Sequence, residues 1–286
     1  MIIDGKLLAQ SLLSGLSEHV ATLKIKGHTP TLAVILVGDD PASLAYIRQK
    51  QKAAEQIGAR VVFSHQPATI NRDVLRTLIE TYNADSTVDG LIVQRPVPDL
   101  LGDVSDILNT ISKNKDVDGF LPDSPFDVPI SLAVGEILQN AYTLTGASEK
   151  NYEEWLRHQR ITVIGRGETA GAPILRYLEK QDCTTSVIHT ASVHPETIMK
   201  QSDIIISCVG AAGIVPASVV KPGAILISVG LWRDAEGKLR GDYDEHEIAG
   251  VALCYTPTPG GVGPVNVSCL MQNLIKACMM TKGGRI

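Results

Sequence analysis

The sequence predicts an α/β chain of two lobes, each built on parallel strands with helical crossovers. Three observations carry this. Short β-branched apolar runs alternate with helix-length amphipathic segments, first over residues 31–111 and again over 161–254, and such alternation implies parallel strands. A Pro/Asp-rich stretch, residues 121–129, separates the two series and marks a boundary between lobes. In the second series a glycine-rich turn, Ile164-Gly165-Arg166-Gly167-Glu168-Thr169-Ala170-Gly171, follows a strand and opens a helix.

In chain order, Leu7, Leu8, Leu12, Leu13, Leu16 and Val20 recur at helical spacing across residues 6–23. Residues 31–37 (TLAVILV) read as a buried strand. It feeds a helix over 40–58, with Asp40 as N-cap, Pro41 at the first helical position and Gly58 as the stop. Residues 60–63 form a second strand, and 74–82 a helix with Leu75, Leu78 and Ile79 on its apolar side. Residues 88–94 are a third strand, ended by Arg95-Pro96-Val97-Pro98, and 101–111 a further helix. A helix over 130–142 bridges the lobes. Strands follow at 161–164, 185–188, 204–207, 224–227 and 251–254, with a helix at 171–179. The Pro/Gly cluster 256–264 is a second break, and 265–279 closes the fold as a helix.

Composition sets the bounds. The chain has 286 residues, 44% hydrophobic, with a net charge of -5, which argues against a nucleic-acid groove. Its five cysteines form no C-x-x-C pair, so reduced, buried thiols are expected, with no metal or redox motif. No apolar run approaches a membrane span, and Met1-Ile2-Ile3-Asp4-Gly5 does not begin a secretory signal. The expectation is a cytoplasmic chain with neither membrane nor nucleic-acid partners.

On the 40–58 helix, Ser43, Tyr46, Ile47, Lys50, Ala53, Ala54 and Ile57 share one side. Lys50 therefore lies in the stripe that faces protein, one turn after Tyr46, whereas Lys52 is on the wet side. Two readings of Lys50 stand: a snorkelling lysine whose stem packs while its amine reaches water, or a desolvated lysine with a lowered pKa, usable as a base. Ligands of parallel sheets bind at the carboxyl ends of strands. Gln94 ends a strand, Asp118 lies in a loop before the lobe boundary, and the Tyr46–Lys50 helix begins beyond another strand end, so these four can face one site. Singly, each also has an ordinary reading, as core, strand cap or turn acid.

In the second lobe, glycines at Gly165, Gly167 and Gly171 let backbone amides approach a phosphate at a helix N-terminus. The spacing is one residue longer than the usual fingerprint, and a tight strand–helix turn would explain it equally. Arg166 can pair with a phosphate. Roughly 20 residues on, where such a unit reads the ribose, stand His189 and Thr190 rather than an acid. That favours a phosphorylated ribose, hence NADP over NAD.

Together these stretches resemble one family. The pattern Tyr46-Ile47-x-x-Lys50, Asp89-Gly90-Leu91-x-Val93-Gln94-x-Pro96-x-Pro98, Lys115-Asp116-Val117-Asp118-Gly119-Phe120, Gly165-Arg166 with Gly171-x-Pro173, and Thr256-Pro257-x-Pro259-Gly260-Gly261-Val262-Gly263-Pro264 is similar to the bifunctional methylenetetrahydrofolate dehydrogenase/methenyltetrahydrofolate cyclohydrolase family, in order and over nearly the whole chain.

The resemblance implies two α/β domains with a cleft between them. Residues 1–128, joined by a C-terminal helix at 265–286, would be the folate-binding catalytic domain, and 129–264 a Rossmann-like NADP-binding domain through which a homodimer forms. It implies NADP-dependent oxidation of methylenetetrahydrofolate and hydrolysis of the methenyl product. Lys50 would be the catalytic lysine, Tyr46 the stacking ring, Gln94 the lysine's partner and Asp118 the holder of the pterin edge, with Gly261 and Pro264 also at the substrate. Ser131, Gly165, Arg166, Gly167, His189, Thr190, Gly210 and Leu231 would bind the cofactor. The chain departs from the family where Pro129-Ile130-Ser131-Leu132 replaces Pro-Cys-Thr-Pro, Gly167 replaces a serine, Ile188-His189-Thr190 replaces Cys-His-Ser, and Val265-Asn266 replaces Met-Thr. The alternatives are a cyclohydrolase with a weak or lost dehydrogenase step, and a non-catalytic dinucleotide- or folate-binding protein.

Overall fold

The computed structural model describes residues 1–146 and 151–282. The chain packs as two compact units, each discontinuous in sequence. One comprises Gln10–Pro129 and Val267–Ile286, the other Met1–Ala9 and Ile130–Asn266.

The first unit is a three-stranded parallel sheet in the order β2-β1-β3, with β1 at Thr31–Val37, β2 at Arg60–Gln66 and β3 at Gly90–Val93. Val34 pairs with Phe63 on one side and Ile92 on the other. All seven residues of β1 are buried, and the period of two divides them between two cores. Leu32, Val34 and Leu36 face helix α1 (Gly5–Ile25), helix α2 (Pro41–Ile57) and helix α10 (Val262–Lys282), through Val20, Ile47, Ile57, Leu270 and Leu274 among others. Ala33, Ile35 and Val37 face Leu75 and Ile79 of helix α3 (Arg72–Ala84) and Ile107.

The ends of α2 are chemically specified. The Asp40 carboxylate accepts from the Ser43 amide, Pro41 opens the helix, and Gly58 ends it at φ 79°, a left-handed conformation in which glycine avoids a Cβ penalty.

The helix expected at 101–111 is not there. A 3₁₀ turn at Asp99–Leu101 gives way to Gly102 at φ 62°, ψ -156°, and only Ser105–Leu108 is helical (α4). Leu101, Val104, Ile107 and Ile111 are nonetheless buried. Their spacing reports burial against one core, while Gly102, in a region open essentially to glycine alone, breaks the helical path.

The second unit holds a five-stranded parallel sheet in the order β10-β7-β6-β4-β5: β4 at Ile161–Ile164, β5 at Thr185–Ile188, β6 at Ile204–Ser207, β7 at Ile225–Ser228 and β10 at Cys254–Tyr255. Its helices are α5 (Pro129–Thr145), α6 (Tyr152–Arg157), α7 (Gly171–Lys180), α8 (Pro195–Gln201) and α9 (Glu245–Ile248), and β8 (Trp232–Arg233) and β9 (Leu239–Arg240) form a small hairpin. The strand expected at 251–254 is shorter and shifted, Cys254–Tyr255, sharing only Cys254 with the expectation, and α6, α8, α9 and the hairpin were not expected. Ile164 is in register with Ile188 and Ser207, and Ser207 with Ser228, so the segments after four strands emerge at one edge. Ile3 donates to the Tyr255 carbonyl at 2.8 Å, which ties the first residues to this unit.

Helix α10 begins at Val262, inside the Pro/Gly cluster expected to precede it. Gly263 and Pro264 lie in its first turn, where proline's missing N–H costs nothing. The last four residues of the expected 265–286 helix lie outside the described residues.

Candidate active site

Lys50 is only 3% exposed, which decides between its two readings. It does not snorkel. Its Nζ donates to Gln94 Oε1 at 2.9 Å and lies 5.2 Å from the centroid of the Tyr46 ring. An ammonium carries three donors, and burying one with a single strong acceptor is unfavourable. Burial accordingly pulls the Lys50 pKa down, and the Asp118 charge opposes this in part. Gln94 is held from behind: its amide nitrogen donates to the Arg95 carbonyl at 2.9 Å, and its backbone N–H continues the ladder to Ile35. The amide is thereby oriented with its oxygen toward the lysine.

Asp118 is half-buried and lines a shallow open pocket together with Arg95, Asp116, Phe120 and Leu121, a pocket whose lining does not include Tyr46, Lys50 or Gln94. The Arg95 guanidinium carbon lies over the Phe120 ring, 4.6 Å from its centroid, a cation–π arrangement. Tyr46, Lys50, Gln94 and Asp118 therefore share one unit and one electrostatic neighbourhood. Gly261 and Pro264 belong to the other unit. Gly261 is required sterically, since a Cβ there would meet the Pro257 carbonyl at 2.6 Å.

In that second unit the glycine-rich turn sits at the carboxyl end of β4. Gly165 has φ 94°. A Cβ on Gly171 would meet the Gly165 carbonyl at 2.1 Å, so glycine lets α7 start against the turn. Gly167 faces open space, and no crowding demands glycine there. Arg166 is exposed. At the end of β5, His189 Nδ1 accepts from the Ala191 amide at 3.2 Å, which leaves Nε2 as the protonated nitrogen of the neutral ring. Thr190 is exposed beside it. Gly210, at φ 78°, abuts Leu231, whose carbonyl a Cβ would meet at 2.9 Å. Ser131, in the first turn of α5, is 1% exposed, and its hydroxyl has no hydrogen-bond partner among the described residues.

A family model described as the tetrahydrofolate dehydrogenase/cyclohydrolase catalytic domain matches residues 3–118, and one described as the same family's NAD(P)-binding domain matches 147–282. The chain belongs to the tetrahydrofolate dehydrogenase/cyclohydrolase family. It is 35% identical over 289 residues to the bifunctional protein FolD of Staphylococcus carnosus, covering 99% of this chain and 98% of that one. It superposes with a TM-score of 0.90 on the crystal structure of the bifunctional enzyme FolD from Campylobacter jejuni, at 34% identity over 98% of this chain and 99% of the other. The Trypanosoma brucei enzyme, solved with NADP and an inhibitor, gives 0.87 at 30% identity, covering 98% and 97%.

Three residues of these surroundings escaped the sequence reading. Asp242 is fully buried, and its carboxylate accepts from the Ser207 hydroxyl and the Val209, Gly210 and Ala211 amides at 2.6–3.0 Å. It holds the loop after β6 from 31 to 35 residues away in sequence, with no motif to announce it. Arg95 read as part of a strand-ending Pro segment. Asn273 lies within the closing helix and was not singled out. No helix among the described residues is long and apolar enough to cross a membrane, and none of their His, Cys, Asp or Glu groups is placed to hold a metal ion.

Proposed function

We propose that this chain oxidises methylenetetrahydrofolate to the methenyl form with NADP and hydrolyses that product to formyltetrahydrofolate. The observation that carries the reading is the buried Lys50, bonded to Gln94 against the Tyr46 ring, in a chain that belongs to this family. A neutral amine beside a methenyl cation avoids charge repulsion. It can take a proton from the water that attacks the cationic carbon. Tyr46 offers a face for the aminobenzoyl ring. The Asp118 carboxylate can accept two parallel N–H donors from the pterin edge. Gly261 and Pro264 are assigned to the same substrate.

The cofactor residues fit a dinucleotide. Close packing of Gly171 on the Gly165 carbonyl brings the start of α7 against the turn at the end of β4, where a helix N-terminus favours a phosphate, and the Ser131 hydroxyl is a buried polar group with no hydrogen-bond partner among the described residues. Bound NADP would accept the hydride. Arg166, His189 and Thr190 are assigned to its ribose phosphate, Gly165 and Gly167 to the diphosphate, and Ser131, Gly210 and Leu231 to the remainder. A cytoplasmic homodimer joined through the cofactor domain completes the reading.

The test is ultraviolet absorbance of purified protein with methylenetetrahydrofolate and each coenzyme. Methenyl formation with NADP, followed by its hydrolysis, is expected; absence of both reactions would overturn the reading. Coenzyme choice has its own test. Arg166→Ala should weaken NADP by roughly 10-fold or more, the scale of a lost charge-assisted contact, and NAD far less. Equal losses for both coenzymes in a fluorescence titration would remove Arg166 from the ribose phosphate.

A further inference from the structure

The segment that carries Asp118 is tied down at three points, two by neighbours within its own motif and one by a residue of α10 outside every motif. Upstream, the Lys115 ammonium donates to the carbonyls of Tyr82, Asn83 and Asp85 at 2.7–2.9 Å, at the C-terminal end of α3. Within the segment, the buried Asp116 carboxylate accepts from the Leu121 amide at 3.0 Å and closes the turn around Asp118. From α10, the Asn273 amide nitrogen donates at 2.9 Å to the carbonyls of both Val117 and Asp127.

The third tie differs in kind from the others. Asn273 is 3% exposed, and its two acceptors lie ten residues apart in the chain, so one amide pins both limbs of the loop. Val117, immediately before Asp118, is fully buried. Immediately after Asp118, Gly119 sits at φ 70° with space for a Cβ denied by the Phe126 carbonyl at 2.7 Å. The backbone on both sides of the carboxylate is thus fixed, and the Asn273 amide bonds to the residue immediately before it, whereas Lys276 of α10 reaches only the Pro125 carbonyl further along the loop.

We propose that Asn273 is a positioning residue for substrate binding, holding the Asp118 carboxylate in the orientation that meets the pterin edge. This rests on the folate reading of the site. Two donors aligned in parallel require an acceptor held within a few tenths of an ångström and a few tens of degrees. An aspartate on a loop has that precision only if its backbone is fixed. Losing the Asn273 amide frees two buried carbonyls, and they can regain partners only by shifting toward water, which turns the carboxylate out of register.

A double-mutant cycle tests it. Calorimetry with 5-formyltetrahydrofolate would compare the intact protein, Asn273→Leu, Asp118→Asn and the double variant. The expected result is a loss of affinity of about 10-fold for Asn273→Leu when Asp118 is present and less than about twofold when it is already Asn, because the two residues act as one unit. NADP affinity and turnover at saturating folate should stay close to those of the intact protein, with the effect in KM. Equal factors in both backgrounds, or a folded Asn273→Leu protein with unaltered affinity, would overturn the proposal. Should the leucine variant fail to fold, Asn273→Ser, which retains a donor in a smaller side chain, enters the same cycle with the same criteria. If the intact protein does not bind 5-formyltetrahydrofolate, the folate reading itself falls; binding with an additive cycle removes only the role of Asn273.

Discussion

Lys50→Met leaves a folded protein in which methenyl hydrolysis is slower by about 100-fold or more, the usual scale of general base catalysis. Methionine fills the same buried stripe of α2, so circular dichroism and the thermal transition should stay near those of the intact protein, while absorbance reports the persistence of the methenyl substrate. Near-normal hydrolysis in that folded variant would make Lys50 a packing residue. Lys52→Met, on the exposed side, is the control. The pH dependence follows from the direction of the Lys50 shift. Burial lowers its pKa from the usual 10.5, and the active form is the neutral amine. Hydrolysis should therefore rise with pH through the lowered pKa and level off before 10.5. Stability has the same sign. Between the two pKa values the unfolded chain binds the proton that the folded chain lacks, so stability increases with pH across that window. Below the lowered pKa the buried group must carry its charge, and the contribution is at its least favourable. Lys50→Met should flatten the stability profile there, as denaturant titrations at several pH values would show.

Asp118→Asn should weaken folate binding by about 2–4 kcal/mol, the scale of a broken charge-assisted pair with a mismatched group left facing the ligand. The substitution replaces one acceptor oxygen with a donor, so one of two parallel contacts becomes a clash of donors. NADP affinity should hardly change. Asp118 also raises the Lys50 pKa, so its removal should move the hydrolysis profile to lower pH in addition to raising KM. Unchanged folate affinity by calorimetry would reduce Asp118 to a turn residue.

What could be read from the sequence was local. Asp40, Pro41 and Gly58 specify the ends of α2 within a few residues of chain, and the 3.6-residue period puts Lys50 on the buried side without any knowledge of its neighbours. Strands β1, β4, β5 and β6 declare themselves as short β-branched runs. The readings failed where geometry depends on distant parts of the chain. The apolar spacing of Leu101, Val104, Ile107 and Ile111 is the same for a helix and for a broken path against one core, and a single glycine torsion separates the two. Asp242 and Asn273 act through side-chain bonds to backbone 31 or more residues away. Asp242 stands among polar residues, and Asn273 among the apolar residues of α10, with no local signal naming the backbone each one holds. Departures such as Gly167 were visible as residue changes, but that no steric demand placed a glycine there emerged only from the space around it.

The interleaving of the two units has a consequence for biosynthesis. The unit that carries Lys50 and Asp118 draws on Val267, Leu270, Met271, Leu274, Ile275 and Cys278 of α10 for the face of β1 opposite α3. During translation that face of Leu32, Val34 and Leu36 stays without its last cover while more than a hundred intervening residues are added. Domains ordinarily fold as they emerge, and uncovered apolar surface is where nascent chains aggregate. The lysine-bearing unit is made first and finished last, so the apolar face of β1 stays open until α10 is made.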